Sequence, residues 1–353
     1  LFYFLDKHSQ NFIHSLKGFS IIIVTWNGIE HLKNFLPSVT ETNYPDYEII
    51  IADNASSDDS KKWIKSTYPA IKIASFDGNY GYCGGNNRAV PFAEKEILVF
   101  LNNDVKVQKD WLYGLDKAFE NSNTAAAQPK LRAFDQPDHF EYAGAAGGFI
   151  DKYGYPFCRG RIFEETEQDV GQYDDEVDLF WASGAALAIR KDIFLESGGF
   201  DEDFEFHMEE IDLCWRLQNQ GYQIAYAPDS TVYHLGGGSL PMGSPRKVYY
   251  NFRNSLFMLW KNYSSASLAP RFLTRLILDV VAAWKALLSG NPKEWMAVAK
   301  AHLHFLKSFG TVNQKRKALQ NKRTIEDDPS TMANISIIWQ YFVKGVKRFR
   351  DLG

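Results

Sequence analysis

Cysteine is scarce in this chain of 353 residues. Cys83, Cys158 and Cys214 are widely spread and odd in number, which excludes a disulfide framework and a zinc cluster and favours a reducing compartment. Long hydrophobic runs are missing too. The apolar stretches after Arg271 are broken by Arg275, Asp279 and Lys285, so none is long enough to span a bilayer. In Leu1 to Phe19, Asp6, Lys7, His8 and Gln10 interrupt any hydrophobic region of a secretory signal. Residue 1 is Leu rather than Met, which leaves the true start open. No Walker pattern, no proper G-x-G-x-x-G and no nucleic-acid motif occurs.

What is present is a 45% hydrophobic chain, enough for one large domain with an appendage. Its net charge of −4 conceals an asymmetry: residues 246–353 carry 19 basic and 6 acidic side chains, about +13, leaving about −17 before them. Two regions with different partners are expected, with residues 1–18 as a lead-in, 19–245 as the main domain and 246–353 as a basic helical region.

The main domain reads as alternating strands and helices. Ser20 to Val24 is a continuous β-branched run, fitting a strand buried on both faces, and Thr25-Trp26-Asn27-Gly28 closes it with turn chemistry. Ile29, Leu32, Phe35, Leu36 and Val39 fall at helical spacing, and Tyr47 to Ala52 gives a second strand that stops on Asp53-Asn54. A helix around Trp63 and a short strand at Ile71 to Ala74 follow, which makes a βαβ class. Trp181 to Ile189 returns to a strand pattern, and Gln128 to Asp178 predicts loops and short strands that cover a substrate.

The strand Glu96 to Leu101 ends abruptly on Asn102-Asn103-Asp104. A buried strand that delivers a carboxylate at its carboxyl end is how open α/β sheets build ligand crevices, so Asp104 is a candidate metal ligand; a plain polar turn is the alternative. Asn79 to Asn87 is a glycine-rich turn leading into a helix, able to wall that crevice or merely to turn the chain tightly. Glu209, Glu210 and Asp212 crowd the start of a helix. They either serve its dipole or raise one another's pKa toward that of a general base. His234 ends a strand before Gly236-Gly237-Gly238-Ser239, a flexible segment able to close over a ligand, and is a candidate metal ligand or a structural histidine.

Taken in order, Thr25-Trp26-Asn27, Asp53-Asn54-x-Ser56-x-Asp58, Asn79-x-Gly81-x-x-Gly84-Gly85-Asn86-Asn87, Asn102-Asn103-Asp104, Trp181-x-Ser183-Gly184, Gly199-Phe200-Asp201-Glu202, Glu209-Glu210-x-Asp212-Leu213-x-x-Arg216 and Val232-x-His234 resemble the family 2 inverting glycosyltransferases, in their rhamnosyltransferase-like branch. The resemblance spans about Phe19 to Leu240. It implies a GT-A fold, a Rossmann-like, mostly parallel α/β sheet flanked by helices. It implies that Thr25, Asn27 and Asp53 face the nucleotide, with Asn54 beside them. Asn79, Gly81, Gly85 and Asn87 would border base, ribose and donor sugar. Asn103 and Asp104 would meet the diphosphate, with Asp104 and His234 holding Mg²⁺ or Mn²⁺. Glu210 takes the place of the catalytic aspartate, with Glu209 a rival, and Asn102 stands where a strict D-x-D has its first carboxylate. Trp181, near Gly184, would stack on a sugar face or simply be a buried aromatic.

The implied reaction moves one sugar from a donor of dTDP-rhamnose or UDP-sugar type to a glycan or lipid-linked glycan acceptor. The Gln-x-x-Arg-Trp element of processive synthases is absent, which favours single-residue addition. In the basic region, Val248, Phe252, Leu256, Leu259 and Tyr263 form one helical stripe, and Phe272, Leu276, Val280, Trp284 and Leu287 another. These stripes either lie on the cytoplasmic face of a membrane, giving a peripheral cytoplasmic enzyme, or pack on the main domain. Lys315 to Arg323 reads as a solvated basic linker, and nucleic acid is not an expected partner. A glycoside hydrolase or a non-catalytic sugar-nucleotide or glycan-binding module are the competing classes.

Overall fold

An unbroken apolar β-branched run has to be covered on both faces, and Phe19–Thr25 meets that demand as β1 in the middle of a sheet. The computed structural model describes residues 16–236 and 244–352. Most of the expected lead-in and the Gly237-Gly238-Ser239 segment lie outside those residues. After β1 come α1 (Ile29–Thr40), β2 (Tyr47–Asp53), α2 (Ser60–Thr67), β3 (Lys72–Ser75), α3 (Gly81–Ala89), β4 (Ile97–Leu101), β5 (Val105–Val107), α4 (Trp111–Ala118) and β6 (Thr124–Ala133). A small antiparallel sheet follows: β7 (Gly148–Ile150), β8 (Pro156–Cys158), β9 (Arg161–Ile162) and β10 (Glu165–Thr166). Then come β11 (Ala186–Arg190), α5 (Lys191–Ser197), α6 (Glu209–Asn219) and β12 (Gln223–His234).

The main sheet has the order β3-β2-β1-β4-β11-β6-β12-β5. Strands β3, β2, β1 and β4 are mutually parallel and β12 is parallel to β6, whereas β11 runs antiparallel to β4 and β6, and β5 to β12. This is the expected mostly parallel α/β sheet. Two registers build the site. Thr25 pairs with Asp53, which aligns the carboxyl ends of β1 and β2, and His234 pairs with Val105, which sets the end of β12 beside Asp104.

The remaining helices are α7 (Pro245–Asn262), α8 (Ser265–Leu288), α9 (Pro292–Asn321) and α10 (Ile337–Phe342). Leu256, Leu259 and Tyr263 of the first expected stripe are buried in the same core as Phe100, Leu213 and Trp215. That stripe packs on the main domain. Helix α8 is turned differently from the sequence reading: Phe272, Arg275, Asp279 and Ala283 face inward, while Leu273, Ile277, Val280, Val281, Trp284 and Leu288 are exposed. The burial of an Arg275–Asp279 ion pair (2.6 Å) rotates the helix and sends its apolar side outward. Lys315 to Arg323 is not a solvated linker. Most of it is the last part of α9, where Lys315 pairs with Asp201 and Asp203 and Arg316 donates to the carbonyls of Trp260 and Tyr263.

Candidate active site

The loops after β1 and β2 are laced to each other. Asn27 sits in the left-handed region (φ +50°), and its Oδ1 accepts from the backbone N–H of Ser57 (2.7 Å) and Asp58 (3.3 Å). Asp58 in turn accepts from the N–H of Ile29 at the start of α1 (3.1 Å) and from that of Ser60 at the start of α2 (3.1 Å). One short acidic side chain therefore serves the free N–H groups of two helix ends. Thr25 Oγ1 accepts from Asn103 Nδ2 (3.3 Å), a contact possible only because residue 28 is glycine, whose Cβ would stand 2.5 Å from that oxygen.

Asp53 is fully buried. Its Oδ1 accepts from the Ser56 N–H, while Oδ2 has no hydrogen bond and lies 3.2 Å from Lys61 Nζ. Lys61 is the half-exposed cover of this carboxylate, and sequence reading passed over it. Asn54 donates to the Gly81 carbonyl (2.9 Å), and Asn79 Oδ1 accepts from the Gly81 N–H.

The glycine-rich segment is helical from Gly81 on, so its turn is shorter than expected. A Cβ on Gly85 would stand 2.9 Å from Asn54 Nδ2 and 3.0 Å from Val24, so this glycine lets α3 press onto the strand ends. It is not a cradle for a ligand. Asn87 is likewise occupied: its amide bonds both the N–H and the carbonyl of Phe200. Asn86, buried beside it, has neither amide atom satisfied.

Asp104 and His234 meet as expected. Asp104 Oδ1 is 3.2 Å from His234 Nε2, and both side chains are buried. On the far side of the ring, Glu141 Oε1 lies 3.3 Å from Nδ1, a charge contact without the alignment of a hydrogen bond. Burial alone would lower the imidazole, but the contacts to Asp104 and Glu141 outweigh it and hold its pKa at about 10. For Asp104, burial pushes upward and His234 more than cancels that, so the carboxyl stays below its usual range.

Helix α6 begins after two residues in left-handed conformation, His207 (φ +65°) and Met208 (φ +72°). Such strain in non-glycine residues gathers where surrounding structure imposes it, often at functional sites. The first two residues of the helix each bury a carboxylate oxygen, Glu209 Oε2 and Glu210 Oε2, with no hydrogen-bond partner. Burial, and then the charge of Glu210, lifts Glu209 well above the carboxylate range. Burial pushes Glu210 up to about 7. Tyr82 donates to the Gly184 carbonyl (2.7 Å), and a Cβ on Gly184 would stand 3.1 Å from that hydroxyl and 3.9 Å from Glu210 Cβ. Gly184 is thus the wall beside Glu210. The next residue, Ala185, accepts from the Asn102 N–H (3.0 Å), which ties that wall to the strand end bearing Asp104.

Two expected site residues have other duties. Asp212 is fully buried and accepts from Arg216 Nε (2.9 Å), Lys261 Nζ (3.0 Å) and Asn262 Nδ2 (2.7 Å), so it docks α7 onto α6 and has no capacity left for a substrate proton. Trp181 is buried, donates from Nε1 to the Phe149 carbonyl (2.8 Å), and presses its ring on Gly148; it presents no face to a sugar.

The strand ends of the sheet therefore carry a buried Asp–His pair, and a neighbouring helix start carries two acids that each keep one oxygen unpartnered. Residues 20–179 match the family model described as Glycosyl transferase family 2. An N-acetylglucosaminyl-diphospho-decaprenol L-rhamnosyltransferase of Mycobacterium tuberculosis is 27% identical over 61% of this chain and 75% of its own. The rhamnosyltransferase WbbL of Escherichia coli is 26% identical over 61% of this chain and 82% of its own. Among solved structures, GalNAc-T7 with UDP, GalNAc and Mn²⁺ superposes with a TM-score of 0.57 at 16% identity, covering 73% of this chain and 49% of that one. TarS 1–349 of S. aureus with UDP-GlcNAc gives 0.54 at 15% identity, covering 86% and 90%. The structural likeness establishes the fold. Residues 20–179 thus form a glycosyl transferase family 2 region, and rhamnosyltransferases are among the relatives of the chain.

Proposed function

We propose that this enzyme transfers a single sugar, with inversion, from a nucleotide-sugar donor of dTDP-rhamnose or UDP-sugar type to a hydroxyl of a lipid-linked or polysaccharide acceptor in cell-surface glycan synthesis. The observation that carries this reading is Glu210. Its Oε2 has no hydrogen-bond partner, burial pushes the carboxyl up to about 7, and it stands beside Gly184 on a wall tied by one hydrogen bond to the strand end of Asp104. An acceptor hydroxyl becomes a competent nucleophile only as its proton leaves, and a base with pKa near neutrality serves that step. Glu210 takes the proton; burial and the charge of Glu210 favour the protonated form of Glu209.

The donor set suits Mg²⁺ or Mn²⁺. Two ligands about 2.1 Å from an octahedral cation and at right angles to each other lie about 3 Å apart, close to the 3.2 Å between Asp104 Oδ1 and His234 Nε2. Among the described residues no cluster of three such ligands forms, which fits a cation completed by donor phosphates and water rather than by a protein cage. Asp104 and His234 would hold it, and the chemistry it supplies is neutralisation of the charge on the departing diphosphate. Neighbours of the same fold support a divalent cation: GalNAc-T7 and the mannosyltransferase PcManGT of Pyrobaculum calidifontis were solved with Mn²⁺ and, respectively, UDP and GDP-Man.

The decaprenol-linked acceptor in the name of the mycobacterial relative supports a lipid-linked acceptor here, and with it a peripheral position on the inner membrane face. Among the described residues no helix is long and apolar enough to cross a membrane. Helix α8 offers an outward apolar side, with Trp284 on it, and α9 adds exposed Lys293, Lys300 and Lys307. Apolar side chains with lysines nearby suit an anionic lipid surface, at roughly 1 kcal/mol per cation. The test is a donor panel with a lipid-linked acceptor extract, read by mass spectrometry with and without chelator. One glycosylated product, lost in excess chelator and restored by Mn²⁺, is the expected result. Donor binding without turnover across the panel supports a binding module instead, and full activity in chelator removes the Asp104–His234 assignment.

A further inference from the structure

The strand end at Asp104 offers one carboxylate only, since residue 102 is asparagine. A second carboxylate reaches the same histidine from elsewhere in the chain. Glu141 follows β6, donates its backbone N–H to the Leu131 carbonyl (3.0 Å), and binds the Ala143 N–H through Oε2. That anchoring leaves Oε1 to face His234 Nδ1 at 3.3 Å. Glu141 is buried at 6% exposure, and among the described residues His234 is its one ionic partner. Gly236 (φ +68°) keeps the space open, for a Cβ there would stand 3.1 Å from Oε1.

A buried carboxylate is costly unless another charge or N–H compensates it, and here the Ala143 N–H and the more distant charge of Arg161 contribute. Its neighbour here is an imidazole whose other nitrogen already faces Asp104. Each ring nitrogen faces one carboxylate oxygen, Nε2 that of Asp104 at 3.2 Å and Nδ1 that of Glu141 at 3.3 Å, so the ring is held between two acids. Metal-bound histidines are commonly oriented in this way by an outer acceptor, whose loss typically costs 10–100-fold in metal affinity.

We propose that Glu141 is the positioning residue of the cation site: it holds the orientation of the His234 ring and supplies from outside the ligand set the negative charge that Asn102 lacks. This rests on the reading of Asp104 and His234 as the cation ligands. The test uses the full chain, with free Mn²⁺ measured by electron paramagnetic resonance in the presence of UDP. Glu141→Gln keeps the shape and removes the charge; Mn²⁺ affinity is expected to fall at least tenfold, with Glu141→Asp recovering part of it. UDP affinity without metal stays unchanged in both. A Glu141→Gln protein that folds and binds Mn²⁺ within twofold of wild type overturns the proposal alone. Wild-type protein that binds no Mn²⁺ overturns it together with the metal reading. Should Glu141→Gln fail to fold, Glu141→Asp decides. Mn²⁺ affinity weakened more than twofold with UDP affinity unchanged supports the assignment, and Mn²⁺ affinity within twofold of wild type refutes it.

Discussion

If Glu210 takes the acceptor proton, the pH profile of turnover is set by its buried position. Burial raises this carboxyl to about 7, so the deprotonated, active fraction is about a tenth at pH 6, half at pH 7 and nine-tenths at pH 8. The sign follows directly: a raised pKa keeps the proton on as pH falls, so activity is lost on the acid side. Turnover measured by donor consumption under saturating acceptor is therefore expected to rise about tenfold from pH 6 to pH 8. An exposed glutamate, titrating near 4.3, would give a flat profile over that range. Glu210→Gln should reduce turnover about 10²–10⁴-fold with donor affinity intact, and its residual rate should lack the acid limb. Glu209→Gln tests the neighbour. Because burial and the charge of Glu210 favour the protonated form of Glu209, the neutral amide should retain turnover within about threefold and keep the limb. A flat wild-type profile between pH 6 and 8, or an acid limb that survives Glu210→Gln and disappears in Glu209→Gln, refutes this assignment.

Asp212→Asn probes stability rather than chemistry. It strips the buried charge that faces Arg216, Lys261 and Asn262, and breaking such a pair costs about 3–5 kcal/mol; the lower end applies because Lys261 also pairs with Asp201 and Arg216 also donates to Ser197 and Gly199. Thermal melting should fall by several degrees, and an unchanged melt would contradict the docking role. On the α8 face, Leu273→Gln with Trp284→Gln should weaken sedimentation with anionic vesicles while leaving the melt unaltered. Equal sedimentation of wild type and variant would discard that face as the lipid contact.

Several elements were legible from local pattern because local pattern is what decides them. The runs Ser20 to Val24 and Ile97 to Leu101 could only be buried strands, and β1, β2 and β4 are parallel neighbours with their carboxyl ends together. The pairing of Asp104 with His234 was also anticipated, through motif order. The pattern around the α3 glycines fits a crevice wall or a tight turn and does not choose between them. Sequence shows that Gly85 is small, whereas its reason, the amide of Asn54 and the side chain of Val24 within about 3 Å of where a Cβ would be, is a fact of packing.

By itself the sequence determined the strand and helix alternation, the polar strand ends and the acids at the start of α6, because each depends on residues a few positions apart. Only the tertiary structure decided which of those acids is free. Asp212 is satisfied by a lysine and an asparagine some fifty residues later, while Glu209 and Glu210 keep unpartnered oxygens in the same helix turn. It alone brought Glu141 to the back of His234 and turned the apolar side of α8 outward. The physical reason is common to all three. A side chain's charge state and direction are set by whatever neighbours exclude water from it, and those neighbours come from distant segments that no spacing rule connects.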